Sequence, residues 1–545
     1  MTGKTIKAQD KQFRKPERNF EKKGVVNPRT SYYVLLENVV NSDKQDMKTM
    51  VDLGRYFSIF APRQSGKSTF LEQICSELHR DPTYAVILLS FQNLKNVDKR
   101  EFYKEIEKVL YARLKNRLRE VNCKKCAVVE SFLENHHLKD HLSFMHLFEE
   151  LNRIIEFKKI TVFIDEFDGI PLSELENFLT TLRELYMKCK KVEQKALYSV
   201  GLIGIRNVTK LIVSGKSPFN IADQVDMPPF SLKNVRDLYA QYTAETNQPF
   251  TEEAVKRVHR ESAGQPWLVN RLGTILTVDI KPGTPKPIEE SDVEEAIRVL
   301  LLERNDHFDN LYEKAKLYKE TFVKIVFDHV KYNPDDEDQT WLEQYGLIKK
   351  KDRKAVVANN IYKERYLETF FHETRVPEEL SAAAYSLPDG SLDMENILLD
   401  FEQYIAQIGV RAFYREKKPY EKTGQFLLTA WLYQFVRRGA GELRYEVPGG
   451  FGRMDILLSY RGRKYIIETK VNRQNLSRTL EKGIAQVAEK YLTAESVREG
   501  FLVIFDTKTL LGEGCEPRCH RHGDKKITAF VIGIGRSETR GAGRV

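Results

Sequence analysis

Short apolar runs alternate with stretches of helical spacing along the first two hundred residues. Residues 56–60 (YFSIF), 84–91 (YAVILLSF), 160–164 (ITVFI) and 200–205 (VGLIGI) hold almost no polar positions. Strands buried on both faces read this way. After the first run, Phe70, Leu71, Ile74 and Leu78 recur at the spacing of one helix face. Strands alternating with amphipathic helices predict a parallel α/β sheet. Farther along, residues 322–330 and 340–345 read as helices, followed by a basic hairpin at 349–354 and a strand-like run at 355–358. Helix, helix, then a two-stranded wing is the order of a winged helix. A second α/β pattern opens near residue 395. It predicts helices over 394–408 and 420–438 and strands over 443–447, 453–460, 464–471 and 501–505.

Composition adjusts this picture only a little. A chain of 545 residues has room for about three or four domains. With 41% hydrophobic and 30% charged residues it has the makeup of an ordinary globular protein. The net charge of +9 and pI near 8.9 permit a polyanionic partner without requiring one. Residues 1–24 hold eight Lys/Arg against three acids, which predicts a basic flexible tail over 1–30. Residues 376–395, rich in Pro, Ser, Ala and acids, read as a linker. Six cysteines in this length do not form a disulfide framework. No N-terminal apolar segment and no run of 18 apolar residues is present, so the expectation is a cytoplasmic protein without a membrane partner. Cys123 and Cys126 with His136, His137 and His141, and Cys515 and Cys519 with His520 and His522, invite a metal reading, but neither has a familiar zinc spacing.

The chemistry begins after the first apolar run, at Ala61-Pro62-Arg63-Gln64-Ser65-Gly66-Lys67-Ser68-Thr69. Strand, glycine-bearing loop and helix, in that order, form a P-loop. Backbone N–H groups of Ser65–Thr69 are expected to cradle phosphates at the helix N-terminus. Lys67 would reach the β- and γ-phosphates of ATP, and the Ser68 hydroxyl would ligate Mg2+. Ala61 replaces the first glycine of the pattern. The third apolar run leads into Asp165-Glu166-Phe167-Asp168, which puts acids at the mouth of the sheet beside the P-loop. Asp165 is expected to hold Mg2+ through water, and Glu166 to polarise the attacking water. Arg206, just past the fourth run, is read either as a phosphate sensor or finger, or as a structural surface arginine.

Ser217-Pro218-Phe219-Asn220-Ile221, Pro229-Phe230 and Gly264-Gln265-Pro266-Trp267-Leu268-Val269-Asn270 resemble bacterial AAA-like ATPases, relatives of the STAND and origin-recognition branches. The resemblance spans most of residues 30–375. It implies that the Gly-x-Pro segment belongs to a helical lid, with Pro266 at the nucleotide, and that the protein can assemble into a homo-oligomer. The basic hairpin Lys349-Lys350-Lys351-Asp352-Arg353-Lys354 either contacts DNA phosphates or is a solvated turn.

In the C-terminal part, Asp455 is followed thirteen residues later by Glu468-Thr469-Lys470, across the turn Arg461-Gly462-Arg463. Strand alternation puts Glu468 and Lys470 on one face, with Thr469 opposite, and the turn returns Asp455 beside them. Two carboxylates and an ammonium around one point suit metal-assisted phosphodiester hydrolysis with Mg2+ or Mn2+. Lys470 would orient water or stabilise developing charge. The constellation resembles the PD-(D/E)XK nuclease family over roughly residues 396–535. By that resemblance, Glu421 is a further metal-site acid, and Gln486 with Tyr491 forms the Gln/Tyr motif of the following helix. Met454 stands where that family usually has proline.

The expected fold is α/β: a P-loop NTPase parallel sheet with helical lid and winged-helix-like domain, then a separate PD-(D/E)XK nuclease-like α/β domain. The boundaries read 31–232 for the ATPase core, 233–300 for the lid, 301–375 for the winged helix and 396–545 for the nuclease-like domain. The expected function is an ATPase that regulates metal-dependent cleavage of DNA, by analogy in phage defence or control of mobile DNA. The alternative is an ATP-driven assembly or signalling switch whose C-terminal domain binds nucleic acid without cutting it.

Overall fold

The computed structural model describes residues 12–155, 159–190, 197–205, 221–327, 330–372, 382–408, 414–415, 418–419, 421–436, 441–449, 452–493, 495–513 and 515–535. The chain forms two compact units, one of residues 1–322 and 331–364, the other of 323–330 and 365–545.

The first unit is built on a six-stranded sheet of β1 (Val40–Asn41), β2 (Tyr56–Phe60), β3 (Tyr84–Ser90), β4 (Lys159–Asp165), β5 (Leu197–Gly204) and β6 (Asp223–Asp226). Their order is β1-β6-β2-β5-β4-β3, parallel throughout except for the antiparallel end strand β1. All four apolar runs are therefore strands, and β2, which feeds the P-loop, lies inside the sheet. The two-residue β1 and the Asp-Gln-Val-Asp run of β6 have no apolar pattern of their own. Helices Lys67–His79, Lys99–Glu120, His141–Ile154 and Leu172–Lys190 flank the sheet. Phe91, Phe102, Phe144, Phe167 and Phe178 interlock in the core between them. On the opposite face of the sheet Gly201 leaves room for two rings, because a Cβ there would stand 2.7 Å from both Phe57 and Phe163.

Helices Leu232–Thr246, Glu252–Ser262, Pro266–Thr274 and Glu290–Leu302 form the next layer. Ser231 and Thr251 cap the first two by accepting hydrogen bonds from Asn234 N and Ala254 N. Residues 12–30, expected to be part of a flexible tail, are instead laid along these helices. Arg14 N donates to Thr246 O at 2.9 Å, and Arg18 pairs with Glu245 at 2.5 Å. Phe20 is 4% exposed among Tyr32, Tyr239 and Tyr242. The basic count misled because the apolar content that decides docking sits on one aromatic side chain. Helices Asp306–Leu317, Lys319–Phe327 and Glu337–Gln344 then precede the antiparallel hairpin β7 (Ile348–Lys351) and β8 (Lys354–Val357).

In the second unit two-residue strands β9 (Tyr414–Arg415) and β10 (Lys418–Pro419) pair with each other. The main sheet comprises β11 (Gly441–Gly449), β12 (Gly452–Tyr460), β13 (Arg463–Asn472), β14 (Glu499–Leu510), β15 (Cys515–His522) and β16 (Lys525–Gly535), in order β11-β12-β13-β14-β16-β15. β11, β12 and β13 are antiparallel neighbours, while β13, β14 and β16 run parallel. The second unit is thus a β-rich domain with its own sheet. Helices Met394–Ile408 and Glu421–Val436 pack on one face against Ile456, Leu458, Ile467, Val503 and Phe505. Helix Leu476–Ala485 and the π-helical turn Gln486–Leu492 cover Leu457, Ile466, Leu502 and Ile504 on the other. Residues 382–395 do not behave wholly as a linker: Leu392 and Met394 are 3% and 2% exposed in that core.

Candidate active sites

The P-loop takes its shape from the backbone. Gln64 and Gly66 have φ of 57° and 90°, which turns the chain between β2 and the helix starting at Lys67. Lys67, 8% exposed, donates to Ala61 O at 2.8 Å and Pro62 O at 2.7 Å, so its ammonium lies inside the loop. Burial lowers its pKa to about 8, against the raising pull of Glu166, Asp165 and Asp168. Ser68 Oγ donates to Asp165 Oδ2 at 2.7 Å, joining the loop to the end of β4 across 97 residues of chain. Thr69 Oγ1 accepts from Val26 N at 3.1 Å. Glu166 has φ of 51°, a left-handed conformation that costs a non-glycine residue about 1 kcal/mol. Burial first, and Asp165 next, push its carboxyl up. Asp168 accepts from Ile205 N at 2.5 Å and so ties β4 to the end of β5.

Pro266 opens its helix at the first position, and Gln265 caps it by accepting from Leu268 N at 2.6 Å. Gln265 Nε2 also donates to Gln64 O at 3.3 Å, so the start of this helix touches the P-loop. Gly264, at φ of 73°, is required here, because a Cβ would stand 1.9 Å from Phe230 O. A cavity of about 340 Å³ lies beside the loop. Arg63, Gln64 and Ser65 line it, with Met227, Pro266 and Ile348 among its apolar walls. Its size and mixed lining are those of a small-molecule site. Next to it, Trp267 stacks on His307 at 4.2 Å, and His307 Nε2 bonds to Tyr362 OH at 2.7 Å. Burial holds His307 neutral, with a pKa near 3.

The second constellation stands where the apolar face of β12 and β13 ends. Asp455, Leu457, Ile466, Glu468 and Lys470 alternate onto the face that helix Leu476–Ala485 covers. Lys470 Nζ donates to Glu468 Oε1 at 2.5 Å, and Glu468 Oε2 lies 3.4 Å from Asp455 N. Asp455 Oδ2 accepts from both the N–H and the hydroxyl of Thr469, each at 2.7 Å. Thr469, placed opposite by alternation alone, thus reaches round to hold Asp455, a contact that strand alternation did not signal. Glu468 is 1% exposed, and burial first, then Asp455, raises its carboxyl to about 7. Gln486 Nε2 donates to Tyr491 OH. The π geometry accounts for that pair, since it turns residue i+5 back over residue i. The charges of Glu468, Asp455 and Lys470 all act on Tyr491.

Glu421 begins its helix, but its side chain, like Arg206 and residues 217–220, lies outside the described residues. Among the described residues no group of three or more His, Cys, Asp or Glu is gathered to hold a metal ion. His136 instead bonds to Tyr111 OH at 2.6 Å, and His137 pairs with Glu107 at 3.2 Å. Cys126 donates to Glu130 at 3.4 Å. No helix is long and apolar enough to cross a membrane among the described residues.

The parallel sheet, the loop ending β2 and the Ser68–Asp165 bond define a P-loop ATPase fold. Residues 21–369 match the AAA-like domain family, and the chain belongs to it. Residues 392–509 match a family described as a domain of unknown function (DUF8371). No curated protein matches the chain. Among solved structures it is similar to a Walker-type ATPase of Pyrococcus abyssi, at 14% identity and a TM-score of 0.39, over 57% of this chain and 90% of that one. The RuvB Holliday junction branch migration motor of Thermotoga maritima aligns at 14% identity and 0.30, over 58% and 90%. ORC1 of Aeropyrum pernix, in complex with DNA, aligns at 10% identity and 0.29, over 62% and 95%.

Proposed function

We propose that the chain hydrolyses ATP in its first unit and thereby controls metal-dependent cleavage of DNA by its second. The observation that carries the cleavage reading is the meeting of Asp455, Glu468 and Lys470 at one end of an otherwise apolar sheet face. A carboxyl raised first by burial and then by its carboxylate neighbour is a site that a divalent cation would relieve. Two carboxylates fit Mg2+ or Mn2+, which commonly takes one or two protein carboxylates and completes its shell with water and phosphate. Such an ion, when bound, would lower the pKa of its water and polarise a phosphodiester. Thr469 holds Asp455 in place for it, and Lys470 supplies positive charge where the phosphate's negative charge grows.

At the P-loop, Lys67 and the Ser65–Thr69 amides would bind the phosphates of ATP, and Ser68 with Asp165 would hold Mg2+. Burial and then Asp165 raise the Glu166 carboxyl above its ordinary value, as suits a group that takes a proton from water. The cavity lined by Arg63, Gln64, Met227 and Pro266 would receive the nucleoside.

Purified protein is expected to degrade plasmid DNA with Mg2+ or Mn2+, and Lys470→Ala to lose at least about a hundredfold in rate, the scale of removing one charge stabiliser. Cleavage persisting in Lys470→Ala overturns the reading. Tight DNA binding without metal-dependent cutting favours the switch that only grips nucleic acid.

A further inference from the structure

The hairpin β7–β8 carries charge that neither site uses. It pairs Lys350 with Ala355 and Lys351 with Lys354, and closes through Asp352 and Arg353, at φ of 48° and 63°. Two left-handed residues in succession make a tight turn whose twist matches a hairpin. A third segment braces it: Tyr332 N donates to Arg353 O at 3.0 Å, and Lys331 bridges to Lys354. Tyr332 OH bonds to Glu343, while the Lys350 ammonium lies 5.6 Å from the centre of the Tyr332 ring. The turn is therefore held in shape. Lys350, Lys351 and Arg353 are exposed at its tip. None forms a salt bridge with a described residue, and the exposed acid beside them is Asp352.

The preceding helix decides how such a tip can be used. Glu337–Gln344 occupies the place of a groove-reading helix, yet it bears Glu337, Asp338 and Glu343 and no Lys or Arg. Three carboxylates oppose entry into a groove walled by phosphates. Of the two, it is the hairpin, with three cations on a braced turn, that matches a polyanion.

We propose that Lys350, Lys351 and Arg353 grip the sugar–phosphate backbone of duplex DNA without reading its sequence, and that helix Glu337–Gln344 stays out of the groove. This contact lies in the first unit and does not depend on the cleavage reading. The test measures full-length protein binding to two short duplexes of unrelated sequence, with chelator present so that cutting plays no part, across a salt series. Wild type is expected to bind both duplexes alike. Lys350→Ala/Lys351→Ala/Arg353→Ala is expected to weaken both by at least tenfold at about 100 mM salt and to flatten the log–log salt slope by about 2 to 3. Lys350→Arg/Lys351→Arg should keep wild-type binding, which separates lost charge from a misfolded hairpin, and Glu337→Gln should not weaken it. The proposal is overturned if wild type binds neither duplex, if the triple variant binds with the same affinity and slope, if it loses only one sequence, or if anionic vesicles are bound and DNA is not.

Discussion

Glu468 concentrates the residue-scale physics of the C-terminal site. Its carboxyl accepts from the Lys470 ammonium and lies 3.4 Å from the Asp455 N–H, with the Asp455 carboxylate acting on it and almost no solvent around it. With a folded pKa near 7 against an unfolded value near 4.5, the folded state holds more protons between those limits. The stability this group contributes is therefore complete below about 4.5 and lost as pH rises through 7. Metal-free wild type is expected to lose about 1–3 kcal/mol between pH 5 and 8 that Glu468→Gln does not lose. Thermal melts of both proteins in chelator decide this, and parallel pH profiles would show that burial does not set the pKa. Addition of Mg2+ at pH 8 should raise the wild-type melting temperature and leave Glu468→Gln unmoved.

At the scale of elements, motif positions were legible because each depends on local backbone. The apolar runs gave four strands, and the loop after the first gave the P-loop, whose Gly66 needs a positive φ. Gly264-Gln265-Pro266 was singled out through the family resemblance, and there a left-handed residue, a cap and a first-turn proline follow in order. The docking of residues 12–30 was not legible, because Phe20 has no periodic apolar neighbours and its partners Tyr239 and Tyr242 lie over two hundred residues away. That aromatic nest yields a prediction for the segment. Phe20→Ala is expected to cost about 3 kcal/mol, the usual price of emptying a buried aromatic site. Urea unfolding of the full chain measures it. A loss below about 1 kcal/mol would mean that the segment adds nothing to the helices it lies along.

For the whole molecule the question is whether the two units act together. Lys67→Ala removes the cation that the P-loop encloses and leaves the Asp455, Glu468 and Lys470 cluster untouched. If ATP controls cleavage, plasmid degradation by wild type should change at least fivefold on adding ATP, a coupling of about 1 kcal/mol. Lys67→Ala should then cut at one rate with or without ATP. Equal responses in both proteins would separate the two activities.

The sequence by itself determined the P-loop, its acidic partner after β4 and the spacing of Asp455, Glu468 and Lys470. Each is written in contiguous residues, as an apolar strand, a glycine turn or a strand alternation. Tertiary structure decided what neighbours in sequence cannot. It joined Ser68 to Asp165, laid residues 12–30 along helix Leu232–Thr246, turned Thr469 back onto Asp455 and brought Gln486 to Tyr491 through a π turn. Those contacts depend on which surfaces the chain buries together, and burial is a property of the folded whole.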